Sequence, residues 1–279
     1  MINPGTLSFI PVGATARALQ SISQQNNVGA SLYNQGNYAE AVQVFKQAIS
    51  ASMIFLIRPP EEVEPYRTSV EQCLSVLVLP SQTAHTYDFG STKHPTIYAK
   101  TFDMAVTLVN KGEASCDPLM TLEGTDANGE HYVLFSKLST ILIYNLALTH
   151  HVLALVSGGS DSRKGRECLS KARDLYSQAN SIPQREQKQE IIDANLLPLF
   201  VQSILNNLGQ CYASLDDTVN SVACFELLLK SVILFQQDLN GAHNSGAYDN
   251  RLYYECSNTC FLENTLFLIL KDQGFAPAA

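Results

Sequence analysis

Across residues 28–57 the apolar positions recur at the spacing of an α-helix, and the pattern breaks once, at Gln35-Gly36-Asn37. A 3.6-residue period on both sides of a Gly-centred break predicts a helix, a tight turn and a second helix. Residue sizes constrain the fold further. Gly29 and Ala41 are small where two antiparallel helices must approach closely, while Tyr38, Val42 and Phe45 supply the bulk beside them. Ala48, one turn after Phe45, leaves room for a neighbouring helix. Such a hairpin cannot bury all its apolar surface alone, so further hairpins are expected.

The run LNNLGQCYASLDDTVNSVACFELLL, residues 205–229, repeats the order with Leu208, Gly209, Tyr212, Ser221, Phe225 and Leu228. Gly209 and Ser221 are 12 residues apart, as Gly29 and Ala41 are. A looser third copy has Tyr144-Asn145-Leu146-Ala147 on its first helix and Ala172, Tyr176 and Ala179 on its second, joined across SGGSDSRKG. On these residues the chain resembles the tetratricopeptide repeat family. The resemblance implies an all-α fold of tetratricopeptide-like helical-hairpin repeats, an α-solenoid, over residues 26–58, 136–180 and 194–236, preceded by a tail over 1–25. The closing segment FLENTLFLILKDQGFAPAA also resembles the C-terminal helix of a lineage-expanded group of algal tetratricopeptide-like proteins.

Residues 59–135 read as an irregular insertion able to carry a short β-hairpin. Arg58-Pro59-Pro60 stops the second helix of the first repeat, since Pro cannot continue it. Phe102, Met104, Val106 and Leu108 then alternate with Asp103, Ala105, Thr107 and Val109, the period of an extended strand. Asp126-Ala127-Asn128-Gly129 is a turn signal before a second β-prone run, His131-Tyr132-Val133-Leu134-Phe135. Ser160 or Asp161 is placed to cap a helix starting near Arg163, and Pro183 to end that helix, with a polar connector over 181–188. Helical spacing resumes through Tyr253, Cys256, Cys260, Phe261 and Leu270, so residues 249–271 are expected to form a helix capping the stack.

Composition excludes some function classes. With 46% hydrophobic residues, 279 positions can bury a sizeable core, and 16% charged residues leave a surface more polar than ionic. A net charge of -8 argues against nucleic acid as a partner, because that affinity comes from Lys and Arg displacing counterions. Seven cysteines without a CxxC pair, no Asn-x-Ser/Thr sequon and no basic start to the N-terminus lead to an expectation of an intracellular protein, cytoplasmic or nuclear, with reduced thiols. No apolar run is expected to reach the about 18 charge-free residues that cross a bilayer. The longest candidates are 51–57 and 227–235, the second interrupted by Lys230.

No chemistry-bearing motif is complete. GxSxG, HExxH and GxGxxG are absent, and the glycines of SGGSDSRKG lack the spacing of a phosphate-binding loop. His150 and His151 are adjacent on a predicted helix and so point about 100° apart, which suits packing better than one metal. Cys256 and Cys260 share a helix face, but no second pair completes a ligand set. The acids Glu61-Glu62 and Asp216-Asp217 fall in loops and turns. A non-enzyme without catalytic residues, cofactor or metal is the expectation. A metal- or thiol-dependent protein using His150, His151, Cys256 and Cys260 is the alternative that bound metal in purified protein would support.

In tetratricopeptide proteins the first helix of each repeat lines a concave groove that holds an extended peptide or a partner helix. The resemblance therefore implies a groove formed by Asn26, Asn27, Ala30 and Tyr33, by Tyr144, Asn145, Leu148 and His151, and by Asn206, Asn207 and Gln210. An Asn side chain carries a donor and an acceptor, so a row of them can pair with a peptide backbone whatever its sequence. Asn27, Asn145 and Asn207 also occupy a consensus place of the repeat, which by itself accounts for them. Repeats that clamp acidic chaperone tails use Lys and Arg on these helices, and residues 23–33, 141–152 and 203–214 contain neither. The expected function is a non-catalytic interaction module or scaffold for a protein or peptide partner. The other alternative is a fixed structural subunit whose groove is filled by its own insertion or by a neighbour.

Overall fold

Residues 14–57, 72–80, 97–110, 130–186, 197–241 and 261 are described by the computed structural model. In chain order they form α1 (Ala14–Asn34), α2 (Tyr38–Ile57), β1 (Gln72–Pro80), β2 (Phe102–Asn110), α3 (Glu130–Val156), a 3-10 turn (Gly159–Asp161), α4 (Arg163–Glu186), α5 (Leu197–Ser214) and α6 (Thr218–Gly241). The fold is the expected all-α helical repeat, with one antiparallel strand pair in the insertion. Two compact units are present, one comprising Met1–Ser81 with Thr101–Asn145 and the other Gln82–Lys100 with Leu146–Ala279.

In the first unit, α1 and α2 close a tight hairpin. Gly36 takes a left-handed φ of 81°, Asn37 N donates to Leu32 O at 2.9 Å, and Gly36 N donates to Tyr33 O at 2.9 Å. This pairing satisfies the last carbonyls of α1 and reverses the chain. Beyond the turn the helices interlock, and a Cβ on Gly29 would lie 2.6 Å from the Phe45 ring. Only hydrogen fits there. Tyr33 packs edge-on against Tyr38 with ring centroids 5.6 Å apart, and the hydroxyls of Ser52 on α2 and Ser139 on α3 lie 2.9 Å apart.

The strands pair antiparallel in a register from Gln72↔Asn110 to Pro80↔Phe102. The period-two run of 102–109 is therefore a strand, but its partner is β1 and not residues 131–135. Those residues open α3, so the expected strand at His131–Tyr132–Val133–Leu134–Phe135 is corrected. A five-residue β-prone run has no ladder of its own there, and it is drawn into the long apolar helix that follows, where tertiary context outweighs propensity. The helix α1 likewise starts at Ala14, so residues 14–25, expected as tail, are helical.

In the second unit, α5 and α6 repeat the first hairpin's design. A Cβ on Gly209 would meet the Phe225 ring at 2.7 Å, and Ser221 Oγ donates to Gly209 O at 2.9 Å across the same close approach. The turn has the same bonds, Asp217 N to Tyr212 O at 2.9 Å and Asp216 N to Ala213 O at 3.2 Å. Here Asp216 takes the left-handed place with φ 65°. Asp217 caps α6 by accepting from Asn220 N at 3.2 Å and Asn220 Nδ2 at 2.7 Å, and these bonds lower its pKa from the usual carboxylate value.

Two further expectations are corrected in this unit. The cap of α4 is Ser162, whose Oγ accepts from Gly165 N at 2.9 Å, because Ser160 and Asp161 are taken up in the 3-10 turn. Pro183 does not end α4, which continues to Glu186. So close to the end it removes only one backbone bond.

The segment Phe135–Val156 of α3 is long enough to cross a membrane, with a window of mean hydropathy 1.5, and 83% of that window is buried inside the protein. The expectation that no apolar run reaches about 18 residues without charge is therefore corrected, since none of residues 138–156 is Asp, Glu, Lys or Arg. Residues 138–152 are all buried, and so are 202–211 of α5. Both runs are buried all round and neither carries a charged residue, but each keeps uncharged polar side chains inside, among them Asn145 on α3 and Asn206 and Asn207 on α5. The expected capping helix lies outside the described residues except for Phe261, which is helical and buried. The closing algal-like segment lies outside them apart from that same residue.

Candidate functional site

Three asparagines on first helices each hold one residue of extended backbone by both its amide and its carbonyl. In the first unit, Asn27 Oδ1 accepts from Met104 N at 2.8 Å and Asn27 Nδ2 donates to Met104 O at 2.7 Å. Asn145 does the same for Phe102, at 3.0 Å to its N and 2.9 Å to its O. In the second unit Asn207 grips Tyr98, accepting from its N at 2.9 Å and donating to its O at 3.0 Å. A side-chain amide used this way copies one rung of an antiparallel ladder. It reads main chain and ignores side chains.

Neighbouring residues orient the grips. Asn26 Nδ2 donates to Asn27 Oδ1 at 3.2 Å and to Phe102 O at 2.8 Å, while its own Oδ1 accepts from Asn145 Nδ2 at 2.8 Å. Asn206 repeats the first of these bonds, donating to Asn207 Oδ1 at 3.0 Å. Ser23, one turn before Asn26, adds a bond from its hydroxyl to Met104 O at 2.7 Å. Tyr176 on α4 accepts from Asn207 Nδ2 at 3.1 Å. Both protons of the Asn145 amide and both of the Asn207 amide are thereby used, which fixes the orientation of those two side chains.

Side chains of the held backbone are buried with it. Phe102 is fully buried and meets Tyr144 edge-on with centroids 5.2 Å apart. Met104 is buried as well. In the second unit Tyr98 packs on Phe261 with centroids 5.6 Å apart. In an antiparallel ladder alternate residues turn their N–H and C=O to opposite edges. Phe102 and Met104 offer theirs to the helices, so Asp103, paired with Leu79 in the register, faces β1. Pro80 opposite Phe102 has no N–H to waste on that edge.

The remaining expected site residues divide by what they touch. Ala30 is buried in α1 and Tyr33 packs on α2, both inside the first hairpin. Leu148, Asn206 and Gln210 are buried within the second unit. His151 packs between helices: its Nδ1 is 3.6 Å from Cys211 Sγ and its ring meets Tyr176 edge-on at 6.1 Å. Burial lowers the His151 pKa to about 4, keeping it neutral, and raises the thiols, Cys211 strongly and Cys224 to about 11. Such thiols are poor nucleophiles and poor ligands. No group of three or more His, Cys, Asp or Glu that could hold a metal exists among the described residues. Cys256 and Cys260 lie outside them.

Sequence reasoning did not name Ser23, Tyr98, Phe102, Met104 or Tyr176 as site residues. Two signals were present: Ser23 lies three and four residues before Asn26 and Asn27, on the same helix face, and Phe102 and Met104 stand two apart on a strand.

Paired helices with glycine–ring interlocks, carrying on their first helices amides that hold the chain's own extended backbone, define a helical-hairpin repeat protein. Residues 21–52, within α1 and α2, match the family model of the tetratricopeptide repeat. Comparison with curated proteins finds no match, and comparison with solved structures finds none. Tetratricopeptide repeats generally mediate protein–protein interaction and are typically non-catalytic.

Proposed function

We propose that this protein is a non-catalytic interaction scaffold whose gripping asparagines serve to hold extended polypeptide. The supporting observation is the repeated two-bond grip of Asn27 on Met104, Asn145 on Phe102 and Asn207 on Tyr98. The arrangement is costly for packing alone, since Asn145 and Asn207 are fully buried and must be desolvated to make it. The partner is a protein or peptide recognised through main-chain pairing and apolar contacts. Helix faces without Lys or Arg disfavour an acidic chaperone tail, and the net charge of -8 disfavours nucleic acid.

A second reading has one specific observation in its favour. The grips hold the chain's own residues, which suits a fixed structural subunit whose groove is closed by its insertion. Affinity purification with mass spectrometry separates the two, comparing the wild-type chain, a Phe102→Ala/Met104→Ala variant and an Asn27→Ala/Asn145→Ala/Asn207→Ala variant. Partners enriched by the first variant and lost by the second support the interaction reading. Partners recovered equally from all three overturn it and leave the structural one.

A further inference from the structure

In the first unit the face built by Asn26, Asn27 and Asn145 is occupied by Phe102-Asp103-Met104, a piece of the same chain. We propose that this face is a docking site for an extended partner segment with an aromatic residue at one position and a long unbranched apolar residue two positions later, and that Phe102-Asp103-Met104 is a resident occupant which such a partner displaces. The proposal rests on the interaction reading above and gives the partner its chemistry.

The resident segment supplies the template. Its main chain is held by amides that any extended peptide could engage, so the bonds set direction and register and leave identity to the side chains. Identity is read at two places. Phe102 fills a closed site against Tyr144, and Met104 is buried beside Ser23 and Asn27, which both bond its carbonyl. Asp103 between them is only half-buried and turns its main chain to the other edge, so the middle position is not selected. An unbranched side chain suits the third position because it can bend into an irregular space that a β-branched one could not enter.

Occupation in cis sets how the site would behave. A tethered segment competes at an effective concentration in the millimolar range, and a partner's apparent affinity falls by the fraction of molecules with the site open. Weakening the occupant should therefore raise affinity for a segment of the same pattern, an effect that a merely structural strand would not show.

The test uses the full chain and a fluorescent, end-blocked synthetic peptide of its own residues 100–106, KTFDMAV, read by anisotropy. Met104→Ala and Phe102→Ala/Met104→Ala proteins are expected to bind it at least tenfold more tightly than wild type. Adding Asn145→Ala should reverse that gain, and a peptide with Ala in place of its Phe should not bind. Equal binding by wild-type and weakened proteins, or binding that survives loss of Asn145, overturns the proposal. Circular dichroism checks each variant, and if the double variant is unfolded the milder Met104→Ala comparison decides. Asn-dependent partner capture together with no peptide binding would overturn this template while leaving the interaction reading intact.

Discussion

The hairpins α1–α2 and α5–α6 are built to one plan from different residues, and what they share separates packing from function. Both put a glycine under an aromatic ring, Gly29 under Phe45 and Gly209 under Phe225. Both turn with the same pair of backbone bonds, and both carry an Asn-Asn pair in which the first orients the second. They differ at the turn, where Gly36 is replaced by Asp216, and in surroundings: Asn27 is partly exposed, whereas Asn207 is fully buried. The turn tolerates change because it is exposed; the grip of Asn207 does not because buried donors and acceptors depend on it.

That contrast gives an order of expected effects. Asn145→Ala and Asn207→Ala should be the most damaging, each removing both bonds of its grip and depriving the buried N–H of Phe102 or Tyr98 of its side-chain acceptor, at about 3 kcal/mol. Asn27→Ala, at a part-exposed site where water can replace it, should cost about 1 kcal/mol. Urea denaturation of the three variants measures this, and equal losses at all three sites would break the comparison. Next, Gly29→Ala and Gly209→Ala should each cost about 2 kcal/mol by forcing a methyl into a ring. Pairing each with Phe45→Leu or Phe225→Leu should recover part of the loss in its own hairpin and none in the other.

One pH effect should arise in the second unit, at His151. The folded-state pKa of His151 is about 4, below its ordinary unfolded value of about 6.5. The unfolded chain therefore binds the proton first. This contribution is complete above pH 6.5 and is lost as pH falls towards 4, costing about 2 kcal/mol between pH 7 and pH 5. The slope of denaturation midpoint against pH over that range should flatten in His151→Gln. The smallest effect belongs to the turns. Gly36→Ala should destabilise by about 1 kcal/mol and Asp216→Gly should stabilise by about 0.5 kcal/mol, since a left-handed backbone favours glycine. Thermal melts resolve the opposite signs.

How far the sequence carried the fold can be stated residue by residue. Helical period, small-large alternation and the turn at Gly36 were legible because they are local, and a second copy with equal spacing made them legible twice. The strand at 102–109 was visible in its period, whereas its partner was not, because 72–80 and 102–110 meet by long-range pairing that leaves no local mark. Leu138–Val156 was misjudged for another reason: its polar residues, Ser139, Thr140, Asn145, Thr149, His150 and His151, hide a charge-free run that is buried throughout 138–152. Asn26, Asn27, Asn145 and Asn207 could be picked out as residues able to hold backbone. That the backbone would be the chain's own could not, because nothing local links Phe102 to Asn145.

Amide hydrogen exchange of Tyr98, Phe102 and Met104, followed by NMR in the wild-type chain and in the single variants Asn207→Ala, Asn145→Ala and Asn27→Ala, tests the grip most directly. All three amides should be protected in the wild type, and each variant should speed exchange at its own partner by at least tenfold while leaving the others slow. Exchange at unprotected rates in the wild type, or no change at the partnered amide, would contradict the account.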